Sequence, residues 1–412
     1  MSNSYFSPDE KISAILERYP QLVDEFIRAG FSQFADEKLR EKMTAMVTLQ
    51  QALQLRKINV EDFCHRLEQA IEEKQQTVDE TLSEDGFVKS GELRLEGVLP
   101  CPIRLPLLEG FRDWLASRPE ELRRRLGYDL RSASTGIDWL VEQVKSGDLE
   151  QVPDIMMSAG FELFFDRELM GRFLQAGAFE TPLPTGVGEM EQFSDERCRY
   201  GILGVVPAVF IVNEEALNGR PVPTSWKMLL CGDYVDQVAI PLHDLDMFNA
   251  LILHIHAFFG EDGVRALARA FHKSLHPSQM VKGVKNRPAP ISISPYFFTQ
   301  MLPENGPAKA VWPTDGAISS PIFMVVKKDK QEALQPVIDF LRSQTVGEIF
   351  SAGGKFPSTH PAVDNRLAAD QRLLWVGWEY LNRVDVAAEL HKAQQLFDSI
   401  LAERENQPQA EA

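Results

Sequence analysis

The stretch AVWPTDGAISSPIFMVVKK, residues 310–328, decides how this chain is read. Apolar residues open it and an apolar run closes it, while Pro313, Asp315, Gly316 and Pro321 interrupt the middle. One central strand does not carry such chemistry, because proline removes a ladder donor and Thr-Asp-Gly is a turn sequence. The stretch therefore reads as a short apolar entry, a turn, and a long strand ending in IFMVV. Asp315 lies in that turn.

Working outward, residues 93–365 alternate short apolar strands with amphipathic helices, which is an α/β pattern. LRLEGVL, YDLRSAS, VPDIMMSAG, VPAVFIVNEEAL, QVAIPL and ISISPYFF read as strands. LPLLEGFRDWLAS, TGIDWLVEQVKSG, DLDMFNALILHIHAFFG, EDGVRALARAFHKSL and ALQPVIDFLRSQTVGEIFSAGG read as helices. Residues 1–75 carry apolar positions at three- and four-residue spacing, broken at Pro20 and stopped at Gly30, and predict a small all-helical domain. Residues 76–92 lose that period, gain acids, Ser and Gly, and read as a linker. Residues 366–412 predict a C-terminal helical extension with a polar tail.

The composition is that of a globular protein, with 44% hydrophobic, 25% charged and 9% aromatic residues. A net charge of −17 repels nucleic-acid backbones and anionic membranes, so neither is expected as the main partner. No window approaches the ~20 apolar residues of a membrane span. The start, MSNSYFSPDEKISAILERYP, lacks a basic n-region followed by an apolar core. The four cysteines, Cys64, Cys101, Cys198 and Cys231, are scattered and form no CxxC pair. The expectation is a cytoplasmic protein with reduced thiols.

AVFIVNEEALNGRPVPTSWKMLLCGDYVDQVAIP (residues 208–241) resembles the middle of type II periplasmic-type solute-binding proteins of ABC importers. There a strand ending in Asn, here Asn213, precedes a Pro-x-x-Trp, here Pro223 and Trp226, and then a VAIP strand. Residues 310–328, followed by PVIDFLRSQTVGEIFSAGGKFPS, resemble that family's return strand and final lobe helix. The resemblance covers roughly residues 93–365. It implies a bilobal fold: residues 93–200 with 313–365 as lobe 1, residues 201–312 as lobe 2, and two straps near Gly201 and Trp312 tying two separate sheets. It also implies a small ligand gripped between the lobes, with residues 310–328 returning the chain across the cleft floor, where Asp315 either faces the cleft or holds the turn. ILERYPQLVDEFIRAGF and TLQQALQLRKINVEDF resemble a small domain that fronts iron-centre repair proteins. Iron-linked members place a cysteine pair after the Gly-Phe, whereas this chain has GFSQFADEK, so a protein-docking or spacing role is the expectation.

In open α/β sheets ligands sit beyond the carboxyl ends of strands, near helix N-termini. LPCPIRLP places Cys101 between prolines in a loop, with Arg104 just before a helix. Cys101 is a soft metal or cluster ligand or a small buried apolar group, and Arg104 is an oxyanion partner or a solvated cation. In SASTGIDW, Ser134 and Thr135 are helix caps, ligand contacts, or both. In MMSAGFE, Ser158 and Gly160 allow close backbone approach. The second lobe offers His243 and Asp244 in IPLHDLDMF, Ser278 in LHPSQMV and Tyr296 in ISPYFF. Cys101, His243 and Tyr296 are the candidate metal ligands. His254 and His256 fall on different helix faces, whereas His272 and His276, four apart at a helix end, have metal-compatible spacing set against a capping role. The adjacent tyrosine pair of ferric-binding proteins is missing.

No GxSxG, P-loop, HExxH or dinucleotide fingerprint occurs, so the expectation is not an enzyme. The leading function is capture of a small ligand for delivery or sensing. Iron or an iron–sulfur species ranks above an oxyanion. A ligand-free interaction scaffold is the alternative, and an enzyme on the same bilobal fold comes last.

Overall fold

The computed structural model describes residues 6, 8, 10–19, 22–23, 26, 31–35, 37–44, 47–56, 60, 63–64, 67, 91–133, 136–182, 186–242, 245–275, 280, 289–303 and 306–406. Contacts divide the chain into two compact units, Met1–Phe87 and Val88–Ala412. The expected linker at 76–92 falls almost wholly outside the described residues.

The first unit contains α1 (Ile12–Arg18), a 3-10 turn (Ser32–Ala35), α2 (Glu37–Thr44) and α3 (Leu49–Leu55). Its core gathers Ile12, Ile15, Leu22, Phe26, Phe31, Phe34, Leu49, Leu53 and Phe63. Phe26 lies at the centre, 5.2–5.6 Å from the rings of Phe31, Phe34 and Phe63. A single antiparallel bridge, Lys11 to Thr48, joins the start of α1 to the start of α3.

The second unit begins with β1 (Leu93–Leu99), α4 (Cys101–Ala116), α5 (Glu120–Arg125), β2 (Leu126–Ser132), α6 (Asp138–Lys145), β3 (Ile155–Ala159), α7 (Glu162–Phe165) and α8 (Gly171–Gln175). It continues through β4 (Gly201–Asn213), α9 (Trp226–Cys231), β5 (Val238–Ile240), α10 (Leu245–Ala270), β6 (Phe271–Ser274), β7 (Ile291–Pro295), β8 (Ala308–Val311) and β9 (Ala317–Val326). It closes with α11 (Gln331–Leu341), α12 (Gln344–Glu348), β10 (Leu373–Leu374), α13 (Gly377–Arg383) and α14 (Val386–Asn406).

β4 organises both halves. β8 and β9 run antiparallel along it, from Ala308 opposite Asn213 to Met324 opposite Gly201. Between Val311 opposite Phe210 and Ile318 opposite Ala208 the chain loops out, and this excursion holds Pro313, Asp315 and Gly316. Gly316 turns at φ +104°, a conformation open to glycine, and its N–H closes the turn on the Pro313 carbonyl at 2.9 Å. The interrupted stretch is therefore one long strand with a turn expelled from its middle.

The strand order is β2-β1-β3-β9-β4-β7-β5-β6, with β10 on β9 and β8 on β4. β1, β2 and β3 are parallel, as are β5, β6 and β7. β9 is antiparallel to β3 and β4 is antiparallel to β7, so the two parallel sets point in opposite directions. The fold is bilobal α/β: β1–β3 with α4–α8 build the first half, β5–β7 with α9 and α10 the second, and β4 and β9 serve both. The expectation of two separate sheets is corrected. The straps hydrogen-bond to each other as well as to each half, so the ladder is continuous. Every residue of β9, and all of β4 except Asn213, is buried, which accounts for their near-unbroken apolar sequence.

Several helix expectations are also corrected. The helix expected over 261–275 stops at Ala270, because FHKS pairs with β5 as β6. His272 thus lies on a strand, 3.3 Å from the Asp236 carboxylate, and His276 lies outside the described residues. The helix expected over 333–354 breaks at Ser343, whose side chain caps α12 by accepting the Val346 N–H. Residues 368–376 are not helical; part of this segment adds β10 to β9.

Candidate functional site

The registers place the site. β3 ends at Ala159 opposite Ile322. β7 ends at Pro295 opposite Ala208, which itself faces Ile318. Only Ser319, Ser320 and Pro321 of β9 separate the two levels, so Ile318 to Ile322 is four steps of ~3.3 Å, about 13 Å along the crossing strands. The carboxyl ends of the two parallel sets therefore point toward one another across a short interval. Pro321 faces Val205 and Pro207 faces Ser319, so each crossing strand lacks one amide donor in that interval.

On the first half, β1 runs directly into α4. Cys101 and Arg104 stand in its first turn, not in a loop ahead of it, which corrects the sequence reading. Pro102 is compatible with the helix here because first-turn amides have no intrahelical acceptor. Arg104 is buried, and its Nε donates to the Leu130 carbonyl at 2.8 Å, tying α4 to the end of β2. The solvated alternative for Arg104 is thereby excluded. The Cys101 side chain, Ser134 and Thr135 lie outside what the structure describes.

Ser158, next to the end of β3, is fully buried, its hydroxyl donating to the Ala159 carbonyl at 3.1 Å. Gly160 follows at φ +82°, its N–H bonded to the Pro321 carbonyl at 3.1 Å. A Cβ there would stand 2.7 Å from Asp246 Oδ1, in the first turn of α10. Asn249, one turn further along α10, donates to the Glu162 carboxylate, and Ser320 Oγ donates to the Asp246 carbonyl at 3.3 Å. The loop after β3 thus rests on the start of α10 and on the crossing strand.

On the second half, His243, Asp244 and Ser278 lie outside the described residues. Tyr296 is half-buried and packs edge-on against Trp312 at 5.0 Å. Asp315 ties the turn at 313–316 to α9 and also lines an open groove. Its carboxylate accepts the N–H groups of Trp226 at 3.0 Å and Lys227 at 3.2 Å, capping α9 together with Ser225. The described candidates that come together are Ser158 and Gly160. Sequence reasoning passed over Asp246, which stands against Gly160, and over the surrounding bonds of Ser320 to Asp246 and of Asn249 to Glu162. The visible signal was the polar Ser319-Ser320 pair inside an apolar run.

The two histidines of α10, His254 and His256, are held by neighbouring groups. His254 is fully buried in α10, with Nδ1 2.7 Å from the Ala250 carbonyl and Nε2 accepting the Val376 N–H at 3.3 Å. Burial lowers its pKa to about 4, so the ring is neutral. His256 faces Glu389 at 3.1 Å. Among the described residues no three His, Cys, Asp or Glu side chains converge as a metal site. An open groove of about 300 Å³ is lined by Gly188, Glu189, Gln192, Thr314, Asp315, Arg372 and Leu373, sharing only Asp315 with the candidates.

The profile of the family described as bacterial extracellular solute-binding protein matches residues 150–384, more than half of the chain. The chain belongs to that family. Residues 6–64 match a domain of unknown function (DUF1858). A search of curated proteins finds no match. Among solved structures, this solute-binding-family chain is similar to the substrate-binding protein of an ABC transporter from Agrobacterium tumefaciens. The TM-score is 0.52 at 13% identity, covering 75% of this chain and 96% of that one. It is similar to the ferric binding protein from Campylobacter jejuni, with TM-score 0.53, 10% identity and coverages of 75% and 99%. It is also similar to a Trichodesmium protein solved with iron and citrate ligands, with TM-score 0.52, 13% identity and coverages of 75% and 98%. At these identities the likeness is one of fold. No helix among the described residues is long and apolar enough to cross a membrane.

Proposed function

We propose that residues 93–365 bind a small solute in the interval between the opposed strand ends, for delivery or sensing. The observation that carries this is the register: two parallel sets aim their carboxyl ends at each other about 13 Å apart along β4 and β9. Affinity arises from amides at the starts of α4, α6 and α10 and from loop hydroxyls. Ferric iron, alone or chelated, is the first ligand to try, an iron–sulfur species the second and an oxyanion the third, with Cys101, His243 and Tyr296 as the metal donors. The role is binding, with no chemical step. The helical unit serves as a docking module for a protein partner. The site of action is the cytoplasm, in keeping with the exposed thiols of Cys198 and Cys231; cell fractionation with an antibody tests that assignment.

The deciding experiment is thermal unfolding of the full chain with ferric citrate, ferrous iron, molybdate, sulfate and phosphate in turn. A ligand at a hundredfold excess over its Kd stabilises by ~2.7 kcal/mol. No shift with any of them, together with native mass spectra of anaerobically purified protein that show only the bare chain, defeats the proposal. One observation favours a second reading, the ligand-free scaffold. The Glu162–Asn249 bond and the Gly160–Asp246 contact already close the loop after β3 onto α10. That reading is selected if no probe binds and partner capture requires the helical unit.

A further inference from the structure

We infer that residues 375–406 form a brace that fixes the angle between the two halves of the larger unit, whatever is bound between them. The segment divides between the halves, with Val376 as a crossing contact. Residues 375–385 grip the first half: Trp375 stacks on Phe161 at 5.9 Å and packs against Phe193 at 5.2 Å, while Trp378 stacks on Tyr200 at 5.9 Å. Arg199 donates to the Asn382 side chain, and Arg167 donates to the Val384 carbonyl at 2.8 Å, with Asp385 beside it at 3.8 Å.

Residues 386–404 grip the second half. α14 lies along α10, where Phe397 packs on Phe248 at 5.4 Å, Lys392 pairs with Glu261 at 2.9 Å and Gln394 donates to Asn249. At its far end Arg404 donates to the carbonyls of Ala268 and Phe271 and to the Asp236 carboxylate. Asn249 in turn donates to Glu162, so one chain of bonds runs from α14 through α10 into the first half. Val376 adds a direct tie, its N–H donating to buried His254.

Two strands joining two lobes form a hinge, and Pro207 with Pro321 thin their ladder where bending concentrates. The brace crosses the same boundary by a separate route, with aromatic stacking at one end and a 21-residue helix at the other. Rotation about the hinge must tear one end of it away. The halves therefore move only when the brace detaches, and its first-half end, held by exposed Arg167 and the Asn382 amide, is the end that releases.

The test is a distance measurement by electron–electron spin resonance on the full chain. Cys64, Cys101 and Cys198 are replaced by Ser, with labels on native Cys231 in the second half and on Asp113→Cys in α4. One narrow distance population is expected without the replacements that follow. Arg167→Ala with Asn382→Ala is expected to add a second population at a different distance, and Lys392→Ala with Arg404→Ala to do the same from the other end. A broad distribution in the intact brace overturns the inference, as does an unchanged narrow one in folded brace variants. Should those variants fail to fold, hydrogen exchange on the unaltered protein decides. Amides of Val205, Val206, Ser319 and Ser320 exchanging as slowly as those of Ile155–Ala159 support the brace, and exchange faster by tenfold or more overturns it.

Discussion

Asp154 and Lys327 offer the sharpest energetic test of how the first half is assembled. Both side chains are almost wholly buried, and Lys327 Nζ lies 2.9 Å from Asp154 Oδ1. The other carboxylate oxygen accepts the Arg94 N–H at 2.9 Å, and the Lys327 N–H donates to the Asp154 carbonyl at 2.8 Å. One residue thereby joins β1, the entry to β3 and the exit from β9. At an effective dielectric of ~20 the attraction at this distance is roughly 6 kcal/mol, set against desolvation of both ions. Removing one partner strands the other charge, so Asp154→Asn should cost about 3–5 kcal/mol. Lys327→Met should fall near the lower end, since the carboxylate keeps the Arg94 amide. The double variant should cost less than either single change, because no buried ion is left alone. Urea titration followed by tryptophan fluorescence is the assay. All six tryptophans lie beyond residue 112, so the signal reports the larger unit alone. Additive single and double costs, or single costs below ~1 kcal/mol, would refute the argument.

Other outcomes follow from the same geometry. Gly160→Ala meets both a left-handed backbone and the Asp246 carboxylate, and should destabilise by about 1–3 kcal/mol in the same titration. Asp315→Ala removes the cap of α9 and should cost about 1 kcal/mol while leaving ligand-induced stabilisation in the thermal assay intact. A loss of ligand response instead would place Asp315 at the binding site. His254 titrates near 4 when folded and near 6.5 when unfolded, so the unfolded chain takes up the proton first as pH falls. Its contribution is complete above pH 6.5 and declines toward pH 4, a loss of about 3 kcal/mol across that window. His254→Leu should flatten this part of the stability profile, and an unaltered slope would show that the burial effect is overstated.

Much of the architecture was legible along the chain because it rests on local chemistry. The strand-and-helix alternation after residue 93, the helical front unit and the expelled turn at 313–316 follow from apolar period and turn residues, and the two crossing strands from the resemblance to solute-binding proteins. Where tertiary pairing competes with propensity, local reading failed. FHKS continues a helical pattern, yet the open edge of β5 draws it into a strand, and Leu373–Leu374 leave a helical tail to pair with β9.

The candidate site is legible in the same partial way: Ser158 and Gly160 stand out in the sequence because strand ends in α/β folds are where ligands gather. Asp315 offered two roles that sequence could not separate, since a cap 88–89 residues away in sequence leaves no local trace. Asp246, Asn249 and Ser320 acquire meaning only from long-range register. By itself the sequence determined which segments are strands, helices and turns, because those depend on the chemistry of neighbouring residues. Only the tertiary structure decided that β4 and β9 share one ladder and that the C-terminal helices span both halves. Pairing partners and packing faces are chosen by burial over the whole chain, which no short window of residues contains.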